Sequence, residues 1–129
     1  MNKNIVLPLT WTIGIVIGST ISGNTLDQVS LFKIPYIDKI IHFIWYYVLY
    51  LLWYSFILNQ NPKYINLYYR FILIACIICF GLLIELIQQF ILIKRSAELN
   101  DFLANCLGAF TALITYFNLY QSKLFGKYL

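Results

Sequence analysis

Residues 71–93 read FILIACIICFGLLIELIQQFILI. Glu85 is the single charged residue in that stretch. A helix of about 20 apolar residues spans the ~30 Å hydrocarbon layer of a bilayer. Helices satisfy their own backbone hydrogen bonds, which makes them the default way across. The run therefore reads as a transmembrane helix, and the chain around it can be judged by the same standard.

Three more runs match it: Ile5 to Ser22, Ile40 to Leu58, and Phe102 to Tyr120. Together they predict an all-α integral membrane four-helix bundle with short loops, its helices at 5–22, 40–58, 71–93 and 102–120. A membrane β-barrel would instead show ~10-residue segments of alternating hydrophobicity, and the sequence has none. A chain of 129 residues is sized for a single domain.

Composition agrees. The chain is 61% hydrophobic and only 11% charged, with a mean hydropathy of +0.76. Soluble domains carry roughly 25% charge, so water cannot face most of this surface. The net charge is +4, but the basic residues are scattered beside the apolar runs. A nucleic-acid binder would gather them on one face or stripe; here they are membrane anchors, and no nucleic-acid partner is expected. Lys3, Lys63, Arg70, Lys123 and Lys127 fall on one side of the bundle, five against the four of Lys33, Lys39, Lys94 and Arg95. The positive-inside rule then places both termini in the cytoplasm. Tyr64, Tyr68, Tyr69, Tyr116 and Tyr120 would form an interfacial aromatic belt on that side. Trp45, Tyr46, Tyr47, Tyr50, Trp53 and Tyr54 read as packing and lipid contact.

Cys76, Cys79 and Cys106 are an odd set in apolar surroundings, which is no disulfide framework. Cys76-x-x-Cys79 has no Lys, Arg or His beside it to stabilise a thiolate, so it reads as two small lipid-embedded residues. The first run has some features of a cleaved signal peptide, with Lys3 ahead of it and small residues near Thr20 to Gly23. Gly14 and Gly18 form a G-x-x-x-G suited to helix packing, which favours a retained helix and offers a surface for a homo-oligomer.

Topology then gathers the scarce polar residues. Helix two starts where helix three ends and helix four starts. Asp38 and His42 open helix two, Glu85, Gln88 and Gln89 close helix three, Arg95 follows it, and Asp101 and Asn105 open helix four. All fall toward one leaflet, the outer one in this orientation. Asp38 and His42 are i, i+4 and share a face, and Glu85 and Gln88 are i, i+3. Asp101, Asn105 and Gly108 form one stripe, beside the small residues Ala104, Gly108 and Ala112, so that side of helix four should face inward. A carboxylate near mid-bilayer costs about 2.5–3.5 kcal/mol on insertion scales, so Glu85 needs a partner, a proton or water. His42, Gln88, Asn105 and Arg95 are its candidate partners.

At these residues the sequence resembles the VanZ-like family of small bacterial membrane proteins. The resemblance rests on Asp38-Lys39-x-x-His42-Phe43, then Glu85-x-x-Gln88, Arg95, and Asp101-x-x-x-Asn105-x-x-Gly108. It spans roughly residues 36 to 112. Ile93-Lys94-Arg95 departs from the pattern, standing where the family often has Gly or Pro. The resemblance implies a minimal four-helix member in the bacterial inner (cytoplasmic) membrane. The founding member is linked to teicoplanin resistance, a link to antibiotic resistance and the cell envelope that need not extend to this chain.

Two classes of function stay open. In the first, the polar pocket binds or acts on a lipid-linked or cell-envelope, glycopeptide-related substrate. Asp38 orients His42, Glu85 is a second acid or base, and these three are the candidate catalytic residues. Lys39, Gln88, Arg95, Asp101 and Asn105 are the candidate substrate-binding residues, with Lys39 and Arg95 meeting a phosphate or carboxylate. No Ser, Thr or Cys at a motif position offers a nucleophile, so hydrolysis would use activated water. Two or three carboxylates and a His also suit a divalent metal, but spacing alone assigns no metal and no cofactor. In the second class the protein is a non-enzymatic binder or partner subunit, its polar cluster a network that holds the helices together. A transporter or channel would require oligomers.

Overall fold

The computed structural model describes residues 5–20, 36–60, 66–91 and 99–121. They form four helices: α1 Val6–Thr20, α2 Ile37–Gln60, α3 Leu67–Ile91 and α4 Leu99–Gln121. No strand occurs among the described residues.

Three helices start earlier than their apolar runs, for local reasons. Tyr36, just before α2, holds a left-handed φ of 66°, and its carbonyl accepts from Ile40 N–H at 3.2 Å. Asp38 then lies in the first turn of α2, where a carboxylate faces the positive end of the helix dipole. Asn66 caps α3, its side-chain oxygen accepting from Tyr68 N–H at 3.3 Å. This carries Tyr68, Tyr69 and Arg70 into the helix, ahead of the expected start at Phe71. Asp101 occupies the first turn of α4.

The most extensive contact is α2 against α4. It is close because α4 presents small residues: Ala104, Ala109 and Ala112 are buried there. A Cβ built on Gly108 would collide with the Phe43 carbonyl oxygen and come within 3.0 Å of Phe43 C and 3.1 Å of Tyr47 N. The backbones touch, as small-residue interfaces permit. Tyr46, Leu49, Tyr50, Tyr54, Ile74 and Ile77 fill the middle of the bundle, with Ile15 entering from α1.

The outside is as apolar as the inside. Leu103, Leu107, Phe110, Ile114 and Phe117 of α4 are spaced by four, three, four and three residues, and all are exposed. Phe71, Ile72, Leu82, Leu83, Leu86, Ile87 and Phe90 of α3 are exposed too, as are Cys76 and Cys79. Apolar faces this large and continuous are foreign to a monomer in water.

Among the described helices, α2 and α3 are long and apolar enough to cross a membrane. The 15 residues of α1 cover ~22 Å, less than the hydrocarbon layer. The 23 residues of α4 are long enough, but Asp101, Asn105, Thr111, Thr115 and Asn118 lower its hydropathy. The sequence expectation of four crossings is thus met on length and apolarity by two helices.

Candidate functional site

One end of the bundle draws polar groups from all four helices, and His42 is at its centre. It projects from the second turn of α2 and is 1% exposed. Its Nδ1 lies 3.0 Å from the Asn105 side-chain oxygen on α4 and 3.9 Å from Glu85 Oε1 on α3. With the Asn105 amide oxygen 3.0 Å away, we assign the proton to Nδ1, which donates to Asn105. The other nitrogen, Nε2, makes no hydrogen bond and lies 3.7 Å from Asp38 Oδ1, one turn back on the same helix. The i, i+4 spacing of Asp38 and His42 brings the two groups onto one face.

Beside them, Lys39 Nζ reaches Asp101 Oδ1 at 2.7 Å, tying the first turn of α2 to the first turn of α4. Asp38 and Lys39 form the outer lip of the site, their side chains 33% and 26% exposed. Asp101, Glu85, Asn105 and His42 lie behind it, each at most 5% exposed. Exposure thus falls from a partly open mouth at Asp38 and Lys39 to a buried interior. The ligand atoms of Asp38, His42 and Asp101 lie within 4.8 Å of one another, a spacing able to hold a metal ion.

The structure brings together six of the eight residues singled out from sequence: Asp38, Lys39, His42, Glu85, Asp101 and Asn105. Gln88 is buried on the same face of α3 but turns to α1, donating from Nε2 to the Ser19 carbonyl at 3.0 Å. Arg95 lies outside the described residues.

Two features escaped the sequence reading. The first is Ser19, 1% exposed at the end of α1, which brings that helix to the polar cluster. Its spacing of four from buried Ile15 was the available signal. The second is at the far end, where Arg70 is 6% exposed. Its Nε donates to Tyr54 Oη at 2.7 Å, and its guanidinium sits 5.6 Å from the Tyr54 ring and 5.4 Å from the Phe117 ring. Placed by sequence in a loop, Arg70 is a buried cation clasped by aromatic rings. Back at the His42 end, Gly18 abuts the Trp45 indole, 2.9 Å from Cζ2 for an added Cβ, while a Cβ on Gly14 would meet nothing within 4 Å.

Fold and site define a small all-helical protein with two membrane-length helices and a buried polar cluster at one end. The chain belongs to the VanZ/LLP1 family, whose model matches residues 3–121, essentially the whole length. Family membership and the two apolar helices together support a membrane protein. No curated protein and no solved structure shows significant similarity to the chain.

Proposed function

We propose that the chain is a multi-pass bacterial inner-membrane protein that binds the polar head of a lipid-linked envelope substrate in this site and acts on it. All four helices cross or enter the bilayer, both termini are cytoplasmic, and the site opens toward the outer leaflet. The outward apolar stripe of α4, from Leu103 to Phe117, supports a lipid-facing position for that helix. The observation that carries the functional reading is His42: buried, oriented by Asn105, and turning an unbonded Nε2 toward Asp38 at the mouth. A ring nitrogen left without a hydrogen bond beside a carboxylate is available to a proton or a ligand. Lys39 at the lip is placed to meet a phosphate or carboxylate.

The second reading, a non-enzymatic binder or subunit, draws on the Lys39–Asp101 and Gln88–Ser19 contacts, which do join helices. Binding and turnover of a polyprenyl phosphate and a polyprenyl-linked sugar by the protein in nanodiscs separate the two. Saturable binding with product release, lost in His42→Gln and Glu85→Gln variants that keep their helical content, is the expected result. Binding without product in any substrate supports the second reading. Absence of binding by the folded wild type refutes the substrate reading and leaves the subunit with a structural polar cluster.

A further inference from the structure

We infer that Asp38, His42 and Asp101 form a binding site for one divalent cation of the zinc or manganese class. Three observations converge on it. The candidate ligand atoms lie within 4.8 Å of one another, a spacing from which small side-chain movements bring all three onto one ion. His42 is 1% exposed, yet its Nε2 has no hydrogen bond and faces a carboxylate oxygen 3.7 Å away. With Nδ1–H given to Asn105, Nε2 presents a lone pair that a proton or a metal cation must screen from Asp38.

The third observation is the far side of the ring. A metal-ligating histidine typically donates its other N–H to an oxygen that fixes its tautomer and raises its basicity. His42 Nδ1 does this toward Asn105 Oδ1 at 3.0 Å, with Glu85 Oε1 behind at 3.9 Å. One nitrogen and two carboxylates favour a borderline ion over magnesium, which prefers all-oxygen surroundings. Lys39, on Asp101 Oδ1, is the competing cation; the ion would share that carboxylate with it or displace it. The inference shares its location with the proposed function but needs no substrate, so either can fail while the other stands.

His42 is the only histidine in the chain, so the test can be made without mutation. Full-length tag-free protein with ¹⁵N-labelled histidine is titrated with zinc in detergent. The Nε2 resonance is expected to shift and saturate at one zinc per chain while Nδ1 keeps its proton. Asp38→Asn and Asp101→Asn should each weaken zinc or manganese binding by about tenfold or more. Lys39→Met, by removing the competing charge, should tighten it by about tenfold. The gain in that variant is a result no unfolding can imitate. An Nε2 signal unmoved at saturating zinc overturns the inference, as does zinc binding that weakens in Lys39→Met.

Discussion

Replacing Gly108 with alanine tests the closest contact in the molecule. The added Cβ would overlap the Phe43 carbonyl oxygen and crowd Phe43 C at 3.0 Å and Tyr47 N at 3.1 Å. All three atoms are backbone, so no side chain can swing aside; α2 and α4 must part locally, by on the order of 1 Å. A gap of that size forfeits a quarter to a half of each dispersion contact across it, and overpacking of this kind costs about 1–3 kcal/mol. The His42–Asn105 bond bridges the same two helices at 3.0 Å and would stretch beyond useful length. Its loss adds about 1 kcal/mol. The expected destabilisation is therefore ~2–4 kcal/mol.

Two other glycines supply the control. At Gly81 the nearest atom is Tyr46 Cε1 at 3.1 Å, on a side chain that can give slightly, so alanine there should cost about 1 kcal/mol. At Gly14 nothing lies within 4 Å, and alanine should be neutral or stabilise by up to ~1 kcal/mol through helix propensity. Reversible unfolding of the purified protein by SDS in mixed micelles, followed by helical circular dichroism, gives the ranking. A Gly108→Ala variant as stable as Gly14→Ala would show that α2 and α4 do not touch as described.

The ion pair Lys39–Asp101 joins partly buried side chains, so a double-mutant cycle with Lys39→Met and Asp101→Asn should give a coupling of about 1 kcal/mol or more; additive effects would deny the pair. Arg70→Lys keeps the charge but loses the flat guanidinium between Tyr54 and Phe117, and should destabilise by about 1 kcal/mol in the same SDS titration. Tyr54→Phe, which strands Arg70 Nε, should destabilise comparably, and a wild-type midpoint in both would show that the contact contributes nothing. Single cysteines at Tyr36, Asn66 and Leu99, in a chain lacking Cys76, Cys79 and Cys106, test the topology. An impermeant maleimide added to oriented vesicles should label Tyr36→Cys and Leu99→Cys from one side and Asn66→Cys from the other; labelling of all three from one side would refute the alternating crossings.

Helix identity was legible because apolarity over ~20 residues is a strong local signal, and the run at 71–93 carries it almost undiluted. The site was legible for a different reason. With so few charged residues, the order of the helices alone sends Asp38, His42, Glu85, Asp101 and Asn105 to one end. What stayed hidden depends on rotamer and on caps. Gln88 shares a face with Glu85, yet its amide turns to the Ser19 carbonyl, a backbone acceptor that leaves no mark in sequence. Arg70 read as a loop cation because the start of α3 is set by Asn66, a single capping residue outside the apolar run.

The two polar ends follow from how helices associate in lipid. Lipid tails are as apolar as leucine, so burying leucine between helices gains little, and packing plus interhelical hydrogen bonds must hold the bundle. The middle of this one is a close-packed seam of Tyr46, Leu49, Tyr50, Ala109 and Ala112. Its ends are fastened differently: at one by Lys39–Asp101, His42–Asn105 and Gln88–Ser19, at the other by Arg70 with Tyr54. The first three contacts satisfy one group each and then stop, except at His42, which spends one nitrogen on structure and leaves the other facing the mouth. In the proposed function, structural and reactive roles meet on one imidazole. His42→Ala would remove both together and report on neither, whereas Asn105→Asp keeps an oxygen for Nδ1 and leaves Nε2 in place. That variant should retain the fold of the bundle while adding a negative charge behind the ring, and a tighter hold on zinc at Nε2 is its expected signature; weaker binding in a well-folded Asn105→Asp protein would contradict the assigned tautomer.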